Sequence, residues 1–157
     1  MNNVFNYKKP IVMKSSISIS KKTATLDSVF RQVYRTDYCI KWLSMKPIVE
    51  MRCKEEVQDV GSISTLYFRC PYFYYYVKIE QVEHGQYIKG TLFGAVSGFL
   101  SIELHEDDDY ITLTYTLSIQ GKNKFIHWYY VLTCFLPHEP YMWWRLKVLM
   151  NRAKKAG

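Results

Sequence analysis

The sequence predicts an α+β fold in which a curved antiparallel β-sheet wraps around a long C-terminal α-helix, with two short helices after the first strand. Three observations carry this. The stretch Ile111-Thr-Leu113-Thr-Tyr115-Thr-Leu117-Ser-Ile119 alternates without a fault, putting Ile, Leu, Tyr, Leu and Ile on one face of a strand. A Trp-rich amphipathic segment from His138 to Arg152 ends the chain and offers Met142, Leu146, Leu149 and Ala153 as one apolar stripe. Between the N-terminal helical pattern and that segment, strand-like runs follow one another, separated by Gly, Pro or acidic turns. The gap between the last strand and the last helix is where an apolar ligand would sit.

The elements follow in order. Residues 1–10 read as a flexible leader, residues 11–154 as a single domain and residues 155–157 as a basic tail. Residues 11–20 form the first strand, alternating from Ser16 onward. Thr23 or Thr25 caps the next segment, with Asp27 placed to favour the helix dipole. Leu26, Val29, Phe30, Val33 and Tyr34 recur at helical spacing, and the pattern runs on to Trp42-Leu43 with a break near Thr36-Asp37. Strands are expected over residues 48–57, 62–70, 72–80, 86–93, 99–105 and 110–119, with Gly61, His84-Gly85 and Glu106–Asp109 at turns. Pro71 breaks or bulges an edge, and 94–98 is a Gly-containing connection. Gly90, Gly94 and Gly98 suit bulges or bends in a curved sheet. Residues 123–136 fit a helical stripe through Phe125, Trp128, Tyr129 and Leu132 but also a strand. Pro137 ends that element, and Pro140 falls in the first turn of the closing helix.

Composition narrows the function classes. Fourteen Tyr, eight Phe and four Trp make the chain 17% aromatic, a bias that suits half-buried strand faces. The net charge of +7 is uneven. Residues 1–60 carry eleven Lys/Arg against six Asp/Glu, residues 61–120 three against seven, and residues 121–157 seven against one. The basic ends read as a solvated face, or as attraction for nucleic acid or anionic lipid. Cys39, Cys53, Cys70 and Cys134 form no CxxC pair and have no His at metal-finger spacing, so they are expected as free thiols with no metal. No secretory h-region or membrane-length apolar run occurs, which points to a soluble, reducing, cytoplasmic setting.

No Walker loop, G-x-G-x-x-G, G-x-S-x-G or H-E-x-x-H motif is present, and no cofactor is expected. Asp107, Asp108 and Asp109 are contiguous and point apart, unlike a catalytic pair or a calcium loop. His127 and His138 flank the Trp-rich elements. Either could hydrogen-bond a ligand carbonyl or move a proton, and either could simply cap or pack a helix start. Tyr115 joins them as an acid/base candidate. The ligand-lining candidates are Phe73, Tyr75, Val77, Leu113, Tyr115, Leu117, Trp128, Met142, Leu146 and Leu149, because polar-tipped aromatics around an apolar space are typical of small-molecule sites.

The chain resembles the START-like, helix-grip superfamily (SRPBCC, the polyketide cyclase/dehydrase and lipid-transport group). The resemblance rests on the helix running to Trp42-Leu43, on Lys89-Gly90-Thr-Leu-Phe-Gly94-Ala-Val-Ser-Gly98-Phe, on the late strand with Tyr115, and on His138-Glu-Pro-Tyr-Met142 opening the last helix. It covers nearly the whole chain from about residue 11. The resemblance implies a grip of sheet on helix around a cavity for a small lipophilic or aromatic ligand. It equally allows a cyclase- or dehydratase-like enzyme with a cavity His or Tyr as acid/base. Trp143-Trp144 and the 72–76 Tyr run depart from the usual pattern. No sequence-specific nucleic-acid partner is expected, and any membrane contact would be peripheral.

Overall fold

Apolar and polar residues alternate along seven segments that pair into one antiparallel sheet. In the computed structural model, which describes residues 8–69, 72–132 and 136–156, the elements follow as β1 (Ile11–Ser20), α1 (Leu26–Tyr34), α2 (Thr36–Leu43), β2 (Val49–Cys53), β3 (Ile63–Arg69), β4 (Tyr72–Glu83), β5 (Tyr87–Gly94), β6 (Val96–Glu106), β7 (Tyr110–Gly121), α3 (Lys124–Tyr130) and α4 (Leu136–Ala156). The sheet order is β1-β7-β6-β5-β4-β3-β2, so successive hairpins build all but one edge and β1 returns to pair with β7. The sheet curls into a half-barrel, and the chain has the expected α+β helix-grip architecture.

The alternating stretch behaves as its pattern demands. Ile111, Leu113, Tyr115, Leu117 and Ile119 are all buried on the concave face. Their neighbours Thr112 and Thr114 pair on the other face with the Ser18 and Ser16 hydroxyls of β1, at 2.8 and 2.9 Å. Against the concave side, α4 packs on β1, α1 and α2 and buries Met142, Leu146, Leu149 and Ala153. Thr25, rather than Thr23, is the α1 cap. It forms a reciprocal capping box with Ser28, both bonds at 3.1 Å.

Several boundaries differ from expectation, β4 and β7 running on to Glu83 and Gly121, and four differences have a local reason. The strand expected over 48–57 stops at Cys53, because the chain beyond it serves the α1–α2 junction. Gln58 N–H donates to the Tyr34 carbonyl at 2.6 Å, its Nε2 donates to the Thr36 hydroxyl at 2.8 Å, and Ser64 donates to its Oε1 at 2.9 Å. The 94–98 connection shrinks to Ala95, because Gly98 stays in the ladder. It does so at φ +143°, where an added Cβ would run into the Ser118 carbonyl oxygen. The ambiguous segment begins as helix α3, capped by Asn123, which accepts from Ile126 N–H at 2.9 Å. Finally, α4 starts at Leu136, which puts Pro137 in its first turn, where a missing N–H is harmless, and Pro140 one turn further in. The expected break at Pro71, and the settings of Cys70, Cys134 and Phe135, lie outside the described residues.

The end of α2 is closed by α4. Four consecutive carbonyls at and just beyond the last turn of α2 have no intrahelical donor to meet them. Arg145 is buried and supplies most of what they need: its Nε donates to the Trp42 carbonyl, and its Nη2 to those of Lys41 and Ser44 at 2.9 and 3.1 Å. Tyr141 Oη donates to the Leu43 carbonyl at 2.8 Å. A cation at a helix C-terminus also complements the dipole there. Removing Arg145 therefore strands several carbonyls at once. Arg145→Ala is expected to lower unfolding free energy by about 3 kcal/mol in urea titration, whereas Trp144→Ala next to it should cost under about 1 kcal/mol. Equal effects would mean that the clamp contributes nothing special.

Candidate functional site

Where α4 begins, sheet and helices do not close completely. A cavity of about 290 Å³ remains there, lined by Leu66, Phe68, Tyr75, Tyr115 and Leu117 from the sheet and by Tyr129 and Tyr130 from α3. His138, Tyr141 and Met142 of α4, with Leu43, Met45, Ile48 and Val49, complete the wall. Among the described residues, none that lines the cavity is Asp, Glu, Lys or Arg. Ile48, which lines the cavity and is half exposed, marks its rim. The volume falls at the small end of known ligand pockets and equals the space of about ten waters.

Rigid rings keep the space open. Phe68 stacks on Phe73 at 4.5 Å between centroids and on Tyr75 at 5.7 Å, while Tyr129 meets Phe73 edge-on at 5.5 Å. Gly121 lets α3 come close enough to form the remaining wall, because a Cβ there would collide with the His127 backbone nitrogen. A second hollow of about 50 Å³ lies deeper, reached past Leu43, Leu66, Tyr75 and Tyr115, which border both spaces.

Two polar tips stand out in the large cavity. His138 is 8% exposed, its ring stacks on Tyr115 at 6.1 Å, and its Nδ1 has no hydrogen-bond partner among the described residues. Burial lowers its pKa to about 4, so the imidazole is neutral at pH 7. Burial raises the Tyr115 hydroxyl well above the usual phenol value, so it remains a donor. Tyr141 is also raised by burial, but its hydroxyl is committed to the Leu43 carbonyl. The site thus offers a neutral imidazole beside the Tyr115 phenol in a space walled by aliphatic and aromatic side chains.

The residues expected from the sequence divide clearly between wall and packing. Tyr75, Tyr115, Leu117 and Met142 line the large cavity, and so does His138. Val77 borders only the small one. Leu113, Leu146 and Leu149 are fully buried where sheet and helix meet directly, and form core instead of lining. Phe73 stands behind Phe68, and Trp128 does not line the space. His127 is fully buried in α3, its backbone against Gly121, and does not line it either. Leu43, Met45, Ile48 and Val49, for which no periodicity marks a wall made from a helix end and a loop, were not among the expected lining, and neither were Leu66, Phe68, Tyr129, Tyr130 and Tyr141. A larger hollow of about 460 Å³ lies at the seam of β1 and α4, but Ser18, Ser20, Thr23, Lys147 and Lys154 give it polar walls. Among the described residues no three His, Cys, Asp or Glu gather to hold a metal, and no helix is long and apolar enough to cross a membrane. Cys39 and Cys53 are free thiols, the Cys39 thiol pushed up to about 12 by burial.

Solved structures share this fold at low identity. A protein from Nitrosomonas europaea superposes with a TM-score of 0.62 at 14% identity, covering 96% of this chain and 98% of the other. The dimeric Aha1 from Colwellia psychrerythraea gives 0.56 at 16%, over 90% and 93%. A major latex-like protein from Panax ginseng gives 0.55 at 10%, over 92% and 97%. No protein-family model and no curated protein matches the chain. The likeness is one of fold.

The buried imidazole has a consequence for stability. In the unfolded chain His138 takes up a proton near pH 6.5, whereas in the folded chain it resists until about pH 4. Its contribution is complete above pH 6.5 and is lost as pH falls through that window. Wild-type stability is expected to drop more between pH 7 and pH 4 than that of His138→Gln, measured by urea titration across pH. Parallel curves would mean that His138 is not held neutral.

Proposed function

We propose that the protein binds one small, largely apolar, uncharged molecule in the cavity between the sheet and the start of α4. The observation that carries this is an open space of about 290 Å³ walled by aliphatic and aromatic side chains, with a buried imidazole nitrogen that lacks a partner among the described residues. An unpaired buried polar atom costs free energy, and a ligand hydroxyl, carbonyl or amide would satisfy it. The absence of charged lining residues disfavours a carboxylate or phosphate, whose desolvation nothing there would offset. At about ten waters' worth of space, one or two rings fit and a whole phospholipid does not. The helix-grip resemblance agrees with this reading.

A second reading has one specific support: neutral His138 stacks beside Tyr115 at the cavity, as an acid/base pair for cyclase- or dehydratase-like chemistry would need to be placed. Native mass spectrometry of gently purified protein, followed by solvent extraction, addresses both readings. Binding predicts a co-purifying or added neutral aromatic that is recovered chemically unchanged, and whose occupancy falls about tenfold in a cavity-filling Leu117→Phe variant that still melts cooperatively. Conversion of the molecule, lost in His138→Gln, would favour the enzyme. Failure to take up any apolar probe would overturn the proposal.

A further inference from the structure

The cavity leaves unexplained the densest group of aromatics in the chain, which lies on the opposite, convex face of the sheet. Tyr72, Tyr74 and Tyr76 of β4 point outward at every second residue, while Phe73, Tyr75 and Val77 turn toward the inner face. Their rings touch in sequence: Tyr72 to Tyr74 at 6.2 Å, Tyr74 to Tyr76 at 5.6 Å, and Tyr76 to Phe93 of β5 at 5.0 Å. Tyr67 of β3 joins from the side, 5.8 Å from Tyr74. Tyr72 is 68% exposed, and Tyr74 and Phe93 are each 40% exposed. Core packing accounts for none of this exposure.

Cations border the aromatic row. Arg52 lies over the Tyr67 ring at 4.8 Å, and Arg52 and Arg69 share a single carboxylate, Glu50, each at 3.0 Å. Two guanidiniums on one carboxylate leave a net positive charge. Lys78 continues the Tyr72–Tyr76 row outward, 3.5 Å from Glu80, and Lys89 lies over the neighbouring exposed Phe99 at 5.7 Å. Across β2–β5 this face therefore carries Arg52, Arg69, Lys78 and Lys89 against Glu50, Glu80 and Glu83, a small excess of cations although residues 61–120 as a whole are acidic. The acidic turn is engaged elsewhere: Lys21 pairs with Glu106 at 2.7 Å and its Nζ donates to the Asp107 carbonyl at 3.1 Å.

We propose that this convex face of β2–β5 binds single-stranded nucleic acid without sequence preference, stacking bases on Tyr72, Tyr74, Tyr76 and Phe93 while Arg52, Arg69 and Lys78 meet phosphates. Aromatic rows bordered by cations suit a single strand, since every base has a π-face and every linkage a negative charge. A second copy of the chain would set the same positively charged face against itself. The site is separate from the cavity, and the proposal stands whether or not the cavity binds a ligand.

Fluorescence anisotropy with a labelled oligothymidylate of about twenty nucleotides tests this on the whole chain. Binding at about 50 mM salt is expected to weaken by at least tenfold at about 200 mM. Tyr72→Thr/Tyr74→Thr, which keeps strand-forming residues at exposed positions, should weaken it about tenfold or more with an unchanged melting temperature. If that variant is destabilised, Arg52→Gln/Lys78→Gln serves instead, and should flatten the salt dependence. No binding at low salt, or equal binding by the tyrosine variant, overturns the proposal. So does tighter binding to duplex DNA or anionic vesicles, or a concentration-dependent dimer that the tyrosine substitutions abolish.

Discussion

The structure depends on α4 holding the end of α2. Arg145 and Tyr141, one turn apart on α4, donate to the carbonyls of Lys41, Trp42, Leu43 and Ser44. Those bonds place the last helix of the chain against a helix about a hundred residues earlier. They also place the start of α4, with His138 and Met142, opposite the stretch from Leu43 to Val49. Apolar burial could bring α4 to the sheet in several rotations. Directional bonds from a buried guanidinium select one. The short helices are tied elsewhere as well, for Trp42 Nε1 donates to the Gln32 carbonyl at 2.8 Å and Gln58 bridges Thr36 and Ser64.

With α4 so placed, two stretches of the same interface behave differently. Around Leu113, Leu146 and Leu149 the aliphatic side chains are fully buried in one core cluster, and none of them lines a cavity. Around Tyr115 and His138 the facing groups are rings already stacked on other rings. A stacked ring cannot fold inward without giving up its neighbour, so the gap persists. Cavity and core are thus consequences of side-chain type at successive turns of one helix. The sheet divides its two faces in the same way, by alternation: Tyr75 turns to the cavity while Tyr74 and Tyr76 turn out.

Alternation and helical spacing made much of the fold legible from residues alone. Thr112 and Thr114 between buried Ile and Leu could only be the outer face of a strand, and Leu146, Leu149 and Ala153 could only be one helix stripe. What periodicity could not reveal was decided by tertiary bonds. Gln58 leaves strand-like sequence because Thr36 and Ser64 hold it, and Gly98 stays in the ladder at a point where the Ser118 carbonyl leaves room only for a glycine. The site was legible in part for the same reason. Tyr115, Leu117 and Met142 lie on regular faces that point to the cavity, whereas Leu146 and Leu149 share Met142's stripe but pack solidly one and two turns on. Spacing identifies a face; only packing decides where along it space remains. Arg145 carried no signal at all, since a basic residue in an amphipathic helix is ordinarily solvated.

On the proposed reading, ligand recognition rests on a neutral imidazole held in an apolar cavity for a polar group to meet. The decisive measurement is nitrogen-15 NMR of the His138 ring, with and without an uncharged aromatic alcohol that fits the space. A neutral ring near pH 7 is expected, with an Nδ1 resonance that shifts saturably as the alcohol is added and does not respond to the matching carboxylate. A ring that is already protonated at pH 7, or that ignores the alcohol while the protein binds it elsewhere, would contradict this reading.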